Sequence, residues 1–162
     1  MRKTIIGVMG PGEATEEDCK NAYAVGKLVA ERGWVLLCGG RKIGVMDEAA
    51  KGARENSGLT VGVMPTADPD DISEAVDIPI ITAMGGARNN INALSSDVVI
   101  ACGMSTGTLS EIALALRGGK KAILLNNDEE SKKFLKKLGG ESVCIVESPK
   151  EAIEQTEKLL SG

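Results

Sequence analysis

The sequence contains no histidine and only three aromatic residues, Tyr23, Trp34 and Phe134. Without histidine, neither a Ser–His–Asp nor a Cys–His nucleophile can form, and the commonest metal ligand is missing. Three aromatic side chains leave little material for stacking nucleic-acid bases. The formal net charge of −4 adds no basic excess that would attract a phosphate backbone. We therefore expect no histidine-dependent hydrolase, no metal site and no nucleic-acid partner.

Cysteine pairs and long apolar runs are also lacking. The four cysteines lie far apart and form no CxxC pair, so neither a zinc site nor a redox pair is predicted. No apolar run approaches the roughly 18 residues of a membrane span. The first three residues precede only a short apolar run, which does not resemble a signal peptide. These features predict a cytoplasmic protein without a membrane partner.

Short apolar runs alternate with amphipathic, helix-like segments along the chain. Because the apolar runs are continuous, they are typical of parallel strands that helices cover on both faces. The sequence predicts one α/β domain over residues 1–162, built on a Rossmann-like, doubly wound parallel sheet. Residues 66–77 are acidic and turn-rich, which indicates an exposed excursion. The predicted strands are residues 4–9, 34–38, 60–64, 78–82, 98–101, 121–125 and 142–146.

Three of the loops that follow predicted strands contain glycine. In a parallel α/β sheet, ligands bind beyond the carboxyl ends of the strands, and glycine lets a ligand approach the backbone closely. The third loop also leads into a predicted helix, whose N-terminus attracts anions. We predict a phosphate site here, although tight turns alone also require glycine. The predicted binding residues of these loops are Gly10, Gly12, Gly39, Gly40, Gly103, Ser105, Thr106, Gly107 and Thr108.

Familiar nucleotide motifs do not fit these loops. Residues 10–15 resemble GxGxxG, but Thr15 occupies the third glycine position. The second predicted strand ends in Cys38 and Gly39, without the acidic residue that binds a ribose hydroxyl. Residues 103–108 lack the lysine of a P-loop. A nicotinamide dinucleotide and an ATPase are both disfavoured.

Two charged residues are candidates for chemistry. Glu111 lies three positions after Thr108, the spacing of a capping box, so it either bonds back to the Thr108 backbone, acts on a ligand, or does both. Arg88 opens a predicted helix, where a cation opposes the helix dipole. Such an arginine is a candidate partner for a phosphate, with a solvated surface arginine as the alternative.

The stretch around these two residues, ARNNINALSSDVVIACGMSTGTLSEIALAL, resembles the Lonely Guy (LOG) and lysine-decarboxylase-like family. It is most similar to the molybdenum-cofactor-carrier-like branch, and the earlier GGRKIGVMDEAAKGA resembles the family's GGxxxGLMxxxAxxA. The resemblance implies a Rossmann-like fold and a homodimer or higher homo-oligomer. The family's enzymes hydrolyse the N-glycosidic bond of nucleoside 5′-monophosphates, which would make Arg88 and Glu111 the catalytic residues. Lysine decarboxylation is not expected.

Several positions depart from the family's enzymes. Gly103, Met104 and Ser105 replace Pro-Gly-Gly, Asn89 follows the arginine in place of lysine, and Ser110 replaces a second acid. Each change weakens hydrolysis more than phosphate binding, because cleavage passes through a cationic sugar that carboxylates stabilise. We count Asn89 with the ligand-binding residues.

Two functions therefore compete. The first is binding of a phosphorylated small molecule, a nucleotide monophosphate or a molybdopterin-type ligand, with no cofactor required. The second is hydrolysis of a nucleoside 5′-monophosphate through Arg88 and Glu111. An oligomer with a vestigial site is a third interpretation.

Overall fold

The computed structural model describes residues 2–162 and contains one seven-stranded sheet in which every pair of neighbouring strands is parallel. The strands are β1 (Ile5–Met9), β2 (Val35–Cys38), β3 (Thr60–Met64), β4 (Ile78–Ile81), β5 (Val98–Cys102), β6 (Lys121–Leu125) and β7 (Val143–Val146). The helices are α1 (Glu16–Glu31), α2 (Gly44–Glu55), α3 (Asn89–Ser95), α4 (Thr106–Arg117), α5 (Glu129–Gly139) and α6 (Pro149–Ser161). No helix among these residues is long and apolar enough to cross a membrane.

The strand order is β4-β3-β2-β1-β5-β6-β7. From β1 the chain builds outward to β4, then crosses back to place β5 on the other side of β1. This reversal confirms the predicted doubly wound sheet. It also opens a crevice between the loops that follow β1 and β5, where ligands bind in such sheets.

Helices cover the two faces of the sheet in groups of three. Helices α1, α2 and α6 pack on one face, where Val25, Ala49 and Ile153 join the core around Ile100. Helices α3, α4 and α5 pack on the other face, where they contribute Ala93, Ile112 and Leu135 to the core. The strands are continuous apolar runs because most of their residues are buried between these layers.

The predicted exposed excursion at residues 66–77 is half wrong. Its first part is exposed, but Ser73, Ala75 and Val76 are buried. The Ser73 hydroxyl donates to a carboxylate oxygen of Asp47 at 2.6 Å. Two of its acidic residues accept hydrogen bonds, Asp71 from the Arg41 side chain and Asp77 from the Thr60 N–H, and its last turn closes over the core.

The edge strand β4 is exposed throughout, unlike the strands inside the sheet. Its Ile78 and Ile80 are paired in register with Val61 and Val63 of β3. Val63 belongs to the core cluster beneath α3 and α4, so Ile78 and Ile80 face the same side of the sheet as those helices. The crossover from β4 to β5 runs through α3, which packs on β1, so this outer part of the face stays exposed.

Candidate functional site

A cleft of about 420 Å³ lies at the carboxyl edge of the sheet. Segments after β1, β2, β3, β4 and β5 all contribute to it, as the switch-point rule predicts. The volume falls in the range of small-molecule sites. Its lining residues are Met9, Gly10, Gly12, Gly39, Arg41, Met46, Pro65, Thr66, Gly85, Gly86, Arg88, Asn89, Ser105, Gly107, Thr108 and Glu111.

Most of the predicted site residues lie in this lining, but three do not. Gly40 and Gly103 adopt φ of +77°, which favours glycine, and both face the protein interior. A β-carbon on Gly103 would collide with the Asp18 carboxylate, and one on Gly40 would collide with the Met64 sulfur. Thr106 is exposed at the first position of α4. Gly40 and Gly103 therefore shape the turns and do not line the cleft.

The start of α4 presents free backbone donors. Ser105 is the N-cap, and its hydroxyl accepts from the Thr108 N–H at 3.2 Å. The N–H groups of Thr106 and Gly107 have no intrahelical acceptor, as at any helix start. A β-carbon added to Gly107 would find no atom closer than 3.8 Å, so the space beside it is open. This helix start can hold an anion.

Of the alternatives for Glu111, the capping role is wrong. Because α4 begins at Thr106, Glu111 lies in its second turn, and the carboxylate does not return to the backbone of Thr108. It accepts from the Asn92 side-chain amide at 2.8 Å and from Arg88 at 3.5 Å. Glu111 is only 5% exposed. Its side chain joins α4 to α3 at the floor of the cleft.

Arg88 is buried, with 8% of its surface exposed, so it is not the solvated surface arginine of the alternative interpretation. Nη1 donates to the Asn89 side-chain oxygen at 2.8 Å and contacts Glu111. Nε is buried and has no hydrogen-bond partner within residues 2–162. A β-carbon on Gly39 would lie 2.9 Å from both terminal nitrogens, which explains why glycine stands there.

The charges of Arg88 and Glu111 do not balance at neutral pH. Burial raises the pKa of the Glu111 carboxyl to about 7, while the Asn92 hydrogen bond and the Arg88 charge only partly oppose this effect. Burial also lowers the pKa of Arg88, but a guanidinium stays protonated in a protein. Because Glu111 is then only partly ionised, the Arg88 charge is left partly uncompensated beside the cleft.

Asn92 and seven lining residues were not predicted from the sequence. Asn92 holds Glu111, and its own side-chain oxygen is buried without a partner in the described residues. Arg41 carried a usable signal, since it directly follows Gly39 and Gly40 in the loop after β2. The lining residues missed by sequence are Met9, Arg41, Met46, Pro65, Thr66, Gly85 and Gly86.

The lining suits an anion better than a metal ion. In residues 2–162 no group of three or more histidine, cysteine or acidic side chains is arranged to hold a metal. Glu111 is the only carboxylate among the lining residues, whereas Arg41 and Arg88 are both cationic. Two guanidinium groups and a free helix N-terminus fit a phosphorylated ligand.

Comparisons with known proteins agree with this fold. The model of the SLOG cluster4 family matches residues 3–153. The molybdenum cofactor binding protein of Rippkaea orientalis is 53% identical, with a TM-score of 0.96 and 99% of each chain covered. The molybdenum cofactor carrier protein of Chlamydomonas reinhardtii is 48% identical, with a TM-score of 0.94, covering 99% of this chain and all of the other.

An enzyme is a more distant relative. The cytokinin riboside 5′-monophosphate phosphoribohydrolase of Mycobacterium tuberculosis is 36% identical over 98 residues. The match covers 56% of this chain and half of the enzyme's length. The predicted resemblance to the LOG family and its molybdenum-cofactor-carrier-like branch is confirmed.

The raised pKa of Glu111 predicts a pH-dependent stability that Glu111→Gln removes. Between pH about 4.5 and about 7 the folded protein binds more protons at this site than the unfolded chain, so the free energy of unfolding falls as pH rises. Glutamine can still accept from Asn92 and stays uncharged. From pH 5 to pH 8, the free energy of unfolding of the wild type should therefore fall by up to about 3 kcal/mol more than that of the variant, since one pKa unit corresponds to about 1.4 kcal/mol.

Urea unfolding at pH 5 and pH 8 measures this difference. Glu154→Gln is the matched control, because Glu154 is exposed on α6. Parallel pH profiles for the wild type and Glu111→Gln would show that Glu111 titrates normally.

Proposed function

The chain belongs to the SLOG cluster4 family, and we propose that it binds a phosphorylated pterin of the molybdenum-cofactor type without converting it. One observation carries this proposal. The buried Arg88, with an unpartnered Nε, lies in the same cleft as the open N-terminus of α4. The cofactor-binding relatives align over 99% of the chain, which supports applying their ligand class to this cleft.

Different parts of the cleft suit different parts of such a ligand. The backbone at Gly107 and the hydroxyls of Ser105 and Thr108 would hold the phosphate, with Arg88 supplying the opposite charge. Met9 and Met46 offer polarisable thioethers that pack well against a flat ring. Molybdenum would arrive as part of the cargo. In this proposal, binding needs no other cofactor. The protein would act in the cytoplasm, and residues 1–162 would form a single binding domain.

A ligand-binding experiment tests this function through Gly107→Val. The valine side chain would enter open space in the cleft, so it should leave the fold intact and block the ligand. Wild-type protein should retain molybdenum cofactor released from a molybdoenzyme in equilibrium dialysis, and Gly107→Val should lose at least about tenfold in affinity. Arg88→Gln should lose a similar factor, because it removes a charge-assisted hydrogen bond.

Arg117→Gln is the matched control, since it removes the same charge from the exposed end of α4. Binding that survives Gly107→Val, or that falls equally in Arg117→Gln, would rule out this cleft as the site. The absence of any cofactor binding by the wild type would refute the function itself.

Hydrolysis of a nucleoside 5′-monophosphate remains the second candidate, because Glu111 has a pKa of about 7 and lies beside Arg88. A group that titrates near the working pH is suited to proton transfer to a departing base. Against it, Ser110 occupies the position of a second acid, and its hydroxyl donates to the Gly107 carbonyl oxygen.

Incubation with AMP, followed by detection of adenine and ribose 5-phosphate, separates the two candidates. We expect no release of base. Release that is lost in Glu111→Gln and kept in Glu154→Gln would instead establish the hydrolase and replace the carrier proposal.

We further propose that the bare face of β4 packs against a second copy of this chain. Ile80 is 43% exposed and Ile78 is 46% exposed on the same face of this edge strand, and neighbouring exposed apolar side chains favour an interface. Charge there should break the assembly, so Ile80→Lys should sediment as a monomer while the wild type sediments as a dimer or higher oligomer. Leu160→Lys on α6, on the opposite face, is the control. A monomeric wild type or an oligomeric Ile80→Lys would refute this interface.

A further inference from the structure

A second guanidinium, that of Arg41, lies in the lining of the cleft. Its side chain is 41% exposed, and Nε donates to an Asp71 carboxylate oxygen at 2.7 Å. Neither terminal nitrogen donates to any group within residues 2–162, so both remain available to a ligand. Unlike Arg88, this residue comes from the loop after β2, and its ion pair within residues 2–162 is with Asp71 and not with Glu111.

The segment of residues 66–77, here called the strap, fixes the position of Arg41. Ile72 forms an isolated antiparallel bridge with Arg41. On either side of it, the Lys42 N–H donates to the Asp71 carbonyl at 2.8 Å, and the Ser73 N–H donates to the Gly40 carbonyl at 2.9 Å. The backbone of the loop and the Arg41 side chain are thus both held by the strap, which preorganises the guanidinium.

The strap is itself attached to the core. The buried Ser73 donates to Asp47 of α2, and Asp47 also pairs with Lys51 at 2.7 Å. A flexible surface arginine would lose most of its binding energy to the ordering of its side chain. Arg41 has already lost much of that freedom in the free protein, so it can offer two donors to an anion at lower cost.

The two guanidinium groups have different electrostatic surroundings. Arg88 is buried and forms an ion pair with Glu111, which lies on α4. Arg41 is half-exposed, and its partner Asp71 occupies only Nε. Besides burial, the Arg41 charge also lowers the pKa of Arg88, so the two guanidinium groups repel each other, and anionic groups bound beside them would relieve this repulsion.

We propose that Arg41 forms a second anion subsite, so that the cleft selects ligands with two separate anionic groups. One is the phosphate at α4 and Arg88, and the other is an oxyanion held by the terminal nitrogens of Arg41. This inference rests on the proposed function and deepens it. A phosphorylated pterin that carries oxygen-ligated molybdenum has such a charge distribution, whereas a simple monophosphate lacks the second group.

The experiment compares Arg41→Gln with Lys42→Gln. Lys42 is the adjacent residue, carries the same charge, pairs with Glu74 and does not line the cleft. In equilibrium dialysis with released molybdenum cofactor, Arg41→Gln should bind at least about tenfold more weakly than the wild type, the usual effect of losing a charge-assisted pair. Lys42→Gln should stay within about twofold. Urea unfolding of each variant checks that the fold is intact.

Inorganic phosphate, used as a competitor, distinguishes two subsites from one. Its inhibition constant should be nearly unchanged in Arg41→Gln and much weaker in Arg88→Gln. Equal weakening of phosphate and cofactor in Arg41→Gln would mean that both arginines serve one subsite and would overturn the inference. So would unchanged cofactor affinity in Arg41→Gln, or an equal loss in Lys42→Gln. A wild type that binds no cofactor would instead refute the proposed function, and this inference with it.

Discussion

The buried pair of Arg88 and Glu111 is the constraint around which the cleft is built. Taking both charges out of water costs more than their attraction at 3.5 Å returns, so neighbouring groups must stabilise them. Asn89 and Asn92 supply hydrogen bonds to the two side chains. Gly39 leaves room for the guanidinium. Replacing Asn89 or Asn92 would leave part of a buried charge unsatisfied, and a side chain at position 39 would crowd the guanidinium.

The topology brings these groups together from distant parts of the chain. Gly39 follows β2, Arg88 precedes α3, and Glu111 lies in the second turn of α4. They meet because the strand order reverses between β1 and β5, and the crossover through α3 then lies beside α4. The same crossover leaves the outer face of β4 bare. The position of the site and the exposure of the proposed dimer surface therefore both follow from the crossover between β4 and β5.

The sequence was sufficient for the sheet and for the edge at which the cleft lies, because continuous apolar runs and glycine loops are local signals. It was misleading where a side chain chooses among distant partners. The spacing of Thr108 and Glu111 matches a capping box, yet Ser105 begins the helix and Glu111 bonds to Asn92. The acidic strap was predicted to be exposed on the basis of its composition. Its second half is buried through a hydrogen bond to Asp47 of α2, a distant contact that the local sequence does not reveal.

Arg41 also shows that the sequence does not reveal the distant partners of a side chain. Its position after a strand made it predictable as a lining residue, but only the strap shows that the side chain is held in place. Glycines were equally ambiguous from sequence. Gly107 opens onto the cleft, whereas Gly103 is required by a left-handed turn against Asp18. A glycine pattern reveals where the backbone is unusual without revealing whether a ligand or the protein itself is the reason.

The pKa of Glu111 would couple the proposed ligand binding to pH. With a pKa of about 7, the carboxyl is partly protonated under neutral conditions, and Arg88 then attracts an anion more strongly. Above that pH, the ionised carboxylate competes with the ligand for the same guanidinium, so affinity for an anion should fall as pH rises. Most glycosidases place carboxylates on both sides of the scissile bond, and Glu111 is the only carboxylate among the lining residues, which supports the binding proposal over the hydrolysis proposal. In the proposed function, one titrating acid beside one buried arginine would therefore make the capture of a phosphorylated ligand weaker at high pH.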